Sequence, residues 1–108
     1  YVSAESQDKI SNIVFDQVDV FMHKSTNLPG GLYDRRPCEV DGFVQGKTSG
    51  FYFDTAGEIM VRNCSVSWGK SRPDYFAHAL ESLNTVKTSV INFSGTSAFP
   101  GKLKDLVN

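Results

Sequence analysis

The chain has little charge to spare: 12 acidic residues stand against 11 basic ones, a net charge of −1. This balance excludes the basic surface that releases counterions from a phosphate backbone, so nucleic acid is not an expected partner. It also excludes an acidic tail or a polybasic membrane anchor. No apolar run approaches the ~20 residues of a bilayer-spanning helix, so no membrane span is expected. Two cysteines, Cys38 and Cys64, are too few for a disulfide scaffold or an all-cysteine zinc site. Two isolated histidines, His23 and His78, have no short-spaced partner, so neither a metal nor a cofactor is expected. No serine or cysteine sits in a nucleophile-elbow context. Helical periodicity is missing throughout, and 108 residues suffice for one small domain with a modest core.

What is present is alternation at period 2, the signature of strands. It runs Ile13-x-Phe15-x-x-Val18-x-Val20, then Ile59-x-Val61-x-x-Cys64-x-Val66, then Val86-x-Thr88-x-x-Ile91-x-Phe93. The three superpose with shifts of 46 and 27 residues. Each is interrupted by two residues in the same place (Asp16-Gln17, Arg62-Asn63, Ser89-Val90), which reads as a bend where the side-chain face switches. The last two copies align further upstream, placing Phe51 on His78, Phe53 on Leu80 and Asp54 on Glu81.

Self-similarity at this period, in strands joined by Ser-, Thr-, Asn- and Gly-rich turns, predicts an all-β solenoid. The expected fold is a right-handed parallel β-helix of about three to four rungs, with residues 1–108 as one segment and a long loop excursion at about 21–50. The competing architecture is an antiparallel sandwich of about seven strands. It calls for Asn-Gly or Asp-Gly hairpins, and only Asp41-Gly42 fits. Starting in mid-pattern with no capping helix, the chain is expected to be completed by an upstream part of a longer solenoid.

The run Pro29-Gly-Gly-Leu-Tyr-Asp-Arg-Arg-Pro-Cys38, with Ser49-Gly-Phe-Tyr-Phe53, Ala56-Gly-Glu-Ile-Met-Val-Arg-Asn-Cys-Ser-Val-Ser-Trp-Gly69 and Ala79-Leu-Glu-Ser82, resembles the late rungs of glycoside hydrolase family 28, the polygalacturonase and rhamnogalacturonase group. The resemblance covers most of residues 10–99. It implies a secreted, periplasmic or cell-surface protein that hydrolyses pectin-like or other acidic glycans. The family's catalytic Asn-x-Asp, Asp-Asp, Gly-His-Gly and Arg-x-Lys are all missing, so no catalytic residue carries over, and this segment is expected to supply scaffold and a substrate-binding loop. A non-catalytic glycan-binding or adhesin-like module is the first alternative. A polysaccharide lyase is the second, although the calcium-binding Asp-rich run common in such enzymes is not here.

Candidate site residues follow from sugar chemistry. Tyr33, Asp34, Arg35 and Arg36 form a polar cluster in the excursion. Arginines grip carboxylates in bidentate fashion and a tyrosine ring stacks on a pyranose face. The blander reading is an internal Asp34–arginine pair that pins the loop. Trp68 and Tyr75 flank the turn 69–74 and offer a stacking platform, or, for Trp68, simple packing. His78 is a candidate general base or a satisfied structural residue. Glu81, aligned with Asp54, is a candidate for the carboxyl pair that glycoside hydrolysis requires, or a solvated turn residue. Cys64 falls on an apolar position and reads as a buried thiol, with a Cys38–Cys64 disulfide as the alternative. Asn63 and Asn92 match glycosylation sequons but lie within strand copies.

Overall fold

A computed structural model describes residues 1–34, 36–39 and 42–108. Two long strands dominate: β6 (Phe51–Trp68) and β7 (Leu80–Gly95). They run parallel, in register from Phe51↔Leu80 to Val66↔Gly95. On the other side of β6 lie three short parallel strands, β1 (Val2–Ser3), β2 (Ile13–Asp16) and β3 (Asp19–Met22). β8 (Leu106–Val107) closes a short stretch of the far edge against Leu80 and Glu81. A separate antiparallel pair, β4 (Leu32–Asp34) and β5 (Phe43–Gln45), is carried by the excursion between β3 and β6.

The long strands are sharply bent, and the bends have a local cause. Gln17, Asn63 and Asn92 all adopt positive φ (59°, 54° and 50°), and so do Thr55 and Asn84 (64° and 51°). Asparagine tolerates this left-handed conformation better than other non-glycine residues, because its short amide bonds locally. Here the amides bond along the line of the bend. Asn92 Nδ2 donates to Asn63 Oδ1 at 2.7 Å, and Asn63 Nδ2 donates to Asp16 Oδ1 at 3.0 Å. Asn84 Nδ2 donates to Thr55 Oγ1 at 3.0 Å in the second line. Each bend re-aims the side chains, so that Phe51, Phe53, Ala56, Ile59, Val61, Cys64, Val66 and Trp68 of one strand all face a single core. Phe53, Ala56 and Val61 are fully excluded from solvent. Phe15 stacks on Phe53 from the first layer, and Phe93 meets Phe51 edge-on from β7.

The expected right-handed parallel β-helix of three to four rungs is not what this chain forms. The strands build one bent parallel sheet in which only β6 and β7 run the full length, with fragments along both sides and a small antiparallel sheet apart from it. The shift of 46 residues is a true strand register, seen at Ile13↔Ile59 and Val20↔Val66. The shift of 27 is not: the register between β6 and β7 is 29, so Ile59 lies beside Thr88 and not Val86. The third bend therefore falls at Asn92, not at Ser89-Val90. The excursion starts after Met22, because Phe21 still pairs with Ser67. Asp41 of the expected Asp41-Gly42 turn lies outside the described residues. Among the described residues no helix is long and apolar enough to cross a membrane.

Candidate glycan-binding cleft

The excursion returns to the sheet through Gly46, Lys47 and Thr48. Gly46 N–H donates to the Gly31 carbonyl at 2.9 Å, and Thr48 is bridged to Phe76. This lays β4 and β5 beside the start of β6 and β7. Between them is a cleft of about 180 Å3 lined by Tyr33, Val44, Gln45, Gly46, Lys47, Tyr52, His78 and Glu81.

Tyr33 reaches the cleft because side chains alternate along β4. Its ring stacks on Tyr52 at 5.2 Å between centroids and on Tyr1 at 4.7 Å. Its hydroxyl donates to the Lys47 carbonyl. A side chain at residue 46 would collide with this ring, since a Cβ there would sit 2.9 Å from Tyr33 Cε2. Burial, reinforced by the neighbouring Tyr52 and Glu81, pushes the Tyr33 hydroxyl up to about 12.

Glu81 lies directly across from Tyr52 in the β6–β7 register. Its Oε2 accepts from the hydroxyl of buried Ser49 at 3.0 Å. The same Ser49 Oγ accepts from the His78 backbone N–H at 3.2 Å. His78 Nδ1 lies 2.7 Å from the Lys104 carbonyl. A carbonyl only accepts, so Nδ1 carries the proton, and in the neutral ring Nε2 holds the lone pair. The cleft thus combines one wall of stacked tyrosine rings with a carboxylate, an imidazole, an ammonium and an amide, a set that suits a polyhydroxylated ligand.

Tyr33, His78 and Glu81 are therefore brought together, and the other candidates go elsewhere. Asp34 follows Tyr33 on β4 and points to the opposite side. There it takes a bidentate pair from Arg36, Nε–Oδ1 2.9 Å and Nη2–Oδ2 2.8 Å. The Arg36 side-chain and backbone hydrogen bonds hold the Asp34 carboxyl down at about 2. The guanidinium also sits 4.3 Å over the Phe43 ring. Arg36 pins the loop and is not offered to a ligand in the cleft. Arg35 lies outside the described residues. Trp68 is a core residue: it is buried, packs on Phe76 at 5.3 Å, and donates from Nε1 to the Thr96 carbonyl at 2.8 Å. Tyr75 packs under Gly30 and Gly31, where any Cβ would meet its ring, and edge-on to Phe76.

The expected Asp54–Glu81 carboxyl pair is not formed. Asp54 registers with Leu83, two residues further along. Its carboxylate accepts from Thr55 Oγ1 at 3.1 Å, while Glu81 leans the other way, to Ser49. His78 likewise does not replace Phe51, whose partner is Leu80. Cys64 is a buried thiol whose Sγ lies 3.1 Å from the Arg62 carbonyl, and no disulfide joins it to Cys38. Asn63 and Asn92 spend their amides on the bend.

Tyr52, Lys47, Gln45 and Ser49 belong to the cleft region without having been singled out in the sequence. Tyr52 had a readable signal: it is the outward member of the alternating Phe51-Tyr52-Phe53. Lys47 and Gln45 had none, because only the return of the excursion places them. Comparison with known proteins adds no relative: no family model, curated protein or solved structure matches the chain.

Proposed function

We propose that the chain belongs to a polysaccharide-active protein and that the cleft between Tyr33, Tyr52, His78 and Glu81 is its glycan-binding site. The observation that carries this reading is the joint presence of two tyrosine rings and a serine-held carboxylate in one cleft. Apolar sugar faces stack on aromatic rings, and sugar hydroxyls donate to carboxylates and accept from ammonium and amide groups. Among the described residues the lining holds a single carboxyl, Glu81, whereas glycoside hydrolysis employs two. Recognition is thus the role these residues support, and cleavage of a glycosidic bond is proposed for the protein only with a second carboxyl brought to Glu81. A polysaccharide ligand also favours a secreted, periplasmic or surface location.

Affinity electrophoresis through gels containing pectic, mannan, xylan and glucan polysaccharides tests the proposal. At least one polysaccharide should retard the protein, and Tyr33→Ala or Tyr52→Ala should abolish the retardation without loss of fold by circular dichroism. Equal mobility of the protein and both variants in every gel would remove the reading.

A further inference from the structure

Tyr1, Tyr33 and Tyr52, three of the four tyrosines of the chain, meet in one cluster. Their ring centroids lie 4.7 Å (Tyr1–Tyr33), 5.2 Å (Tyr33–Tyr52) and 5.4 Å (Tyr1–Tyr52) apart, with planes within 20° of parallel in every pair. The sheet sets the alignment of one pair. Val2 faces Phe53 across parallel strands and both pack into the core, so Tyr1 and Tyr52, one residue earlier, leave together on the outer side. Their planes differ by only 6°. Tyr1 is 51% exposed and Tyr52 half-buried, so solvent and an oxidant reach the pair. Tyr33 differs, because its hydroxyl donates to the Lys47 carbonyl, which is too weak a base to take the proton. Tyr75, the fourth, lies edge-on to Phe76 under Gly30 and Gly31.

We propose that Tyr1 and Tyr52 are a site of oxidative modification, joined as dityrosine when a peroxidase with hydrogen peroxide acts on the chain. Each phenol loses one electron to the oxidant and its hydroxyl proton to water, leaving a phenoxyl radical. The unpaired electron of a phenoxyl lies partly on the ring carbons beside the oxygen, in lobes perpendicular to the ring, so stacked rings couple face to face. One carbon–carbon bond forms between these positions. The hydrogen on each bonded carbon moves to the oxygen as the rings regain aromaticity. Two phenols and one hydrogen peroxide thus give dityrosine and two waters. Rings already stacked need no encounter between molecules, which favours the bond within one chain. β1 is held to β6 only through Val2↔Phe53 and Ser3↔Asp54, and the new bond fixes this short strand covalently. Crosslinking does not require a bound glycan.

The test is treatment of the dilute chain with a peroxidase and limiting hydrogen peroxide, read by dityrosine fluorescence, gel mobility and mass spectrometry of tryptic peptides. A monomer lighter by two hydrogens should form, with the peptides of Tyr1 and Tyr52 joined. It should persist in Tyr33→Phe and Tyr75→Phe. It should be lost in Tyr1→Phe, in Tyr52→Phe and in the chain unfolded by urea. Both phenylalanine variants keep the ring, and circular dichroism shows that they keep the fold. A crosslink within the chain that survives urea or Tyr52→Phe, or one that joins only separate chains, would overturn the site. So would the absence of dityrosine in the folded chain while free tyrosine in the same mixture couples.

Discussion

Tyr52 on β6 stands directly across from Glu81 on β7, so ring and carboxylate project from the same side of the sheet, one strand apart. Parallel neighbours lie about 4.8 Å apart, close enough for one sugar ring to touch both. Ser49 holds the carboxylate from below.

Glu81→Gln should separate charge from shape. Ser49 can still donate to the amide oxygen, so the fold is kept. A charge-assisted hydrogen bond to a ligand hydroxyl becomes a neutral one, and glycan affinity falls about tenfold. Tyr52→Phe keeps the ring and should leave affinity within about twofold. Calorimetry with the polysaccharide fragment that retards the protein measures both. Equal losses in the two variants would sink the division of labour.

The Tyr33 hydroxyl should resist ionisation in the folded chain. Its folded value of about 12 lies above the ordinary 10.0, so the folded state holds the proton that the unfolded chain gives up. The associated stability is fully present below pH 10 and is lost as pH rises towards 12. Tyr33→Phe should flatten this alkaline decline, read as urea midpoints between pH 9 and 12. A decline of the same size in both proteins would refute the assignment.

Asn63 sits between two hydrogen bonds at a left-handed bend. Asn63→Ala loses both bonds and leaves a Cβ in that conformation without the amide that makes it tolerable, for a cost of about 2 kcal/mol. Asn63→Gly loses the bonds but relaxes the backbone, and should recover about 1 kcal/mol of it. Urea unfolding compares them, and identical midpoints for the two variants would discard the backbone explanation.

Cys64 contributes as a buried thiol. Dithiothreitol should leave the thermal midpoint unchanged. Cys64→Ala should cost about 1 kcal/mol for one lost buried group next to Phe15 and Phe93. A reductant-dependent midpoint would show that the thiol is in fact paired.

Some of this architecture was legible in the residues. The shift of 46 could be read because both partners keep apolar side chains on the inner face: Ile13 beside Ile59, Phe15 beside Val61, Val20 beside Val66. The register of β7 was hidden because its inner face is partly polar. Ser82, Thr85 and Thr88 occupy inner positions and hydrogen-bond to one another at 2.6–3.0 Å, so hydroxyls stand where the other layers have Phe, Ala and Ile. Val86 and Ile91, which complete the apparent apolar pattern, are instead 61% and 54% exposed. Pattern matching follows hydrophobicity, and a self-satisfied hydroxyl cluster is as admissible in an interior as an apolar side chain.

The cleft divides in the same way. Tyr33, His78 and Glu81 were recognisable as residue types fit for sugar binding, but so were Arg36, Trp68 and Tyr75. The sequence by itself determined that the chain is built of bent strands with few charges to spare, because alternation and bend asparagines act over a few neighbouring residues. Only the tertiary structure decided the register of β7, the single bent sheet in place of stacked coils, and which polar residues share a cleft. Those depend on where a 28-residue excursion between Met22 and Phe51 returns, and on which side of β4 each side chain leaves. Contacts of that range are settled by packing and hydrogen bonding between segments distant along the chain, which no local pattern records.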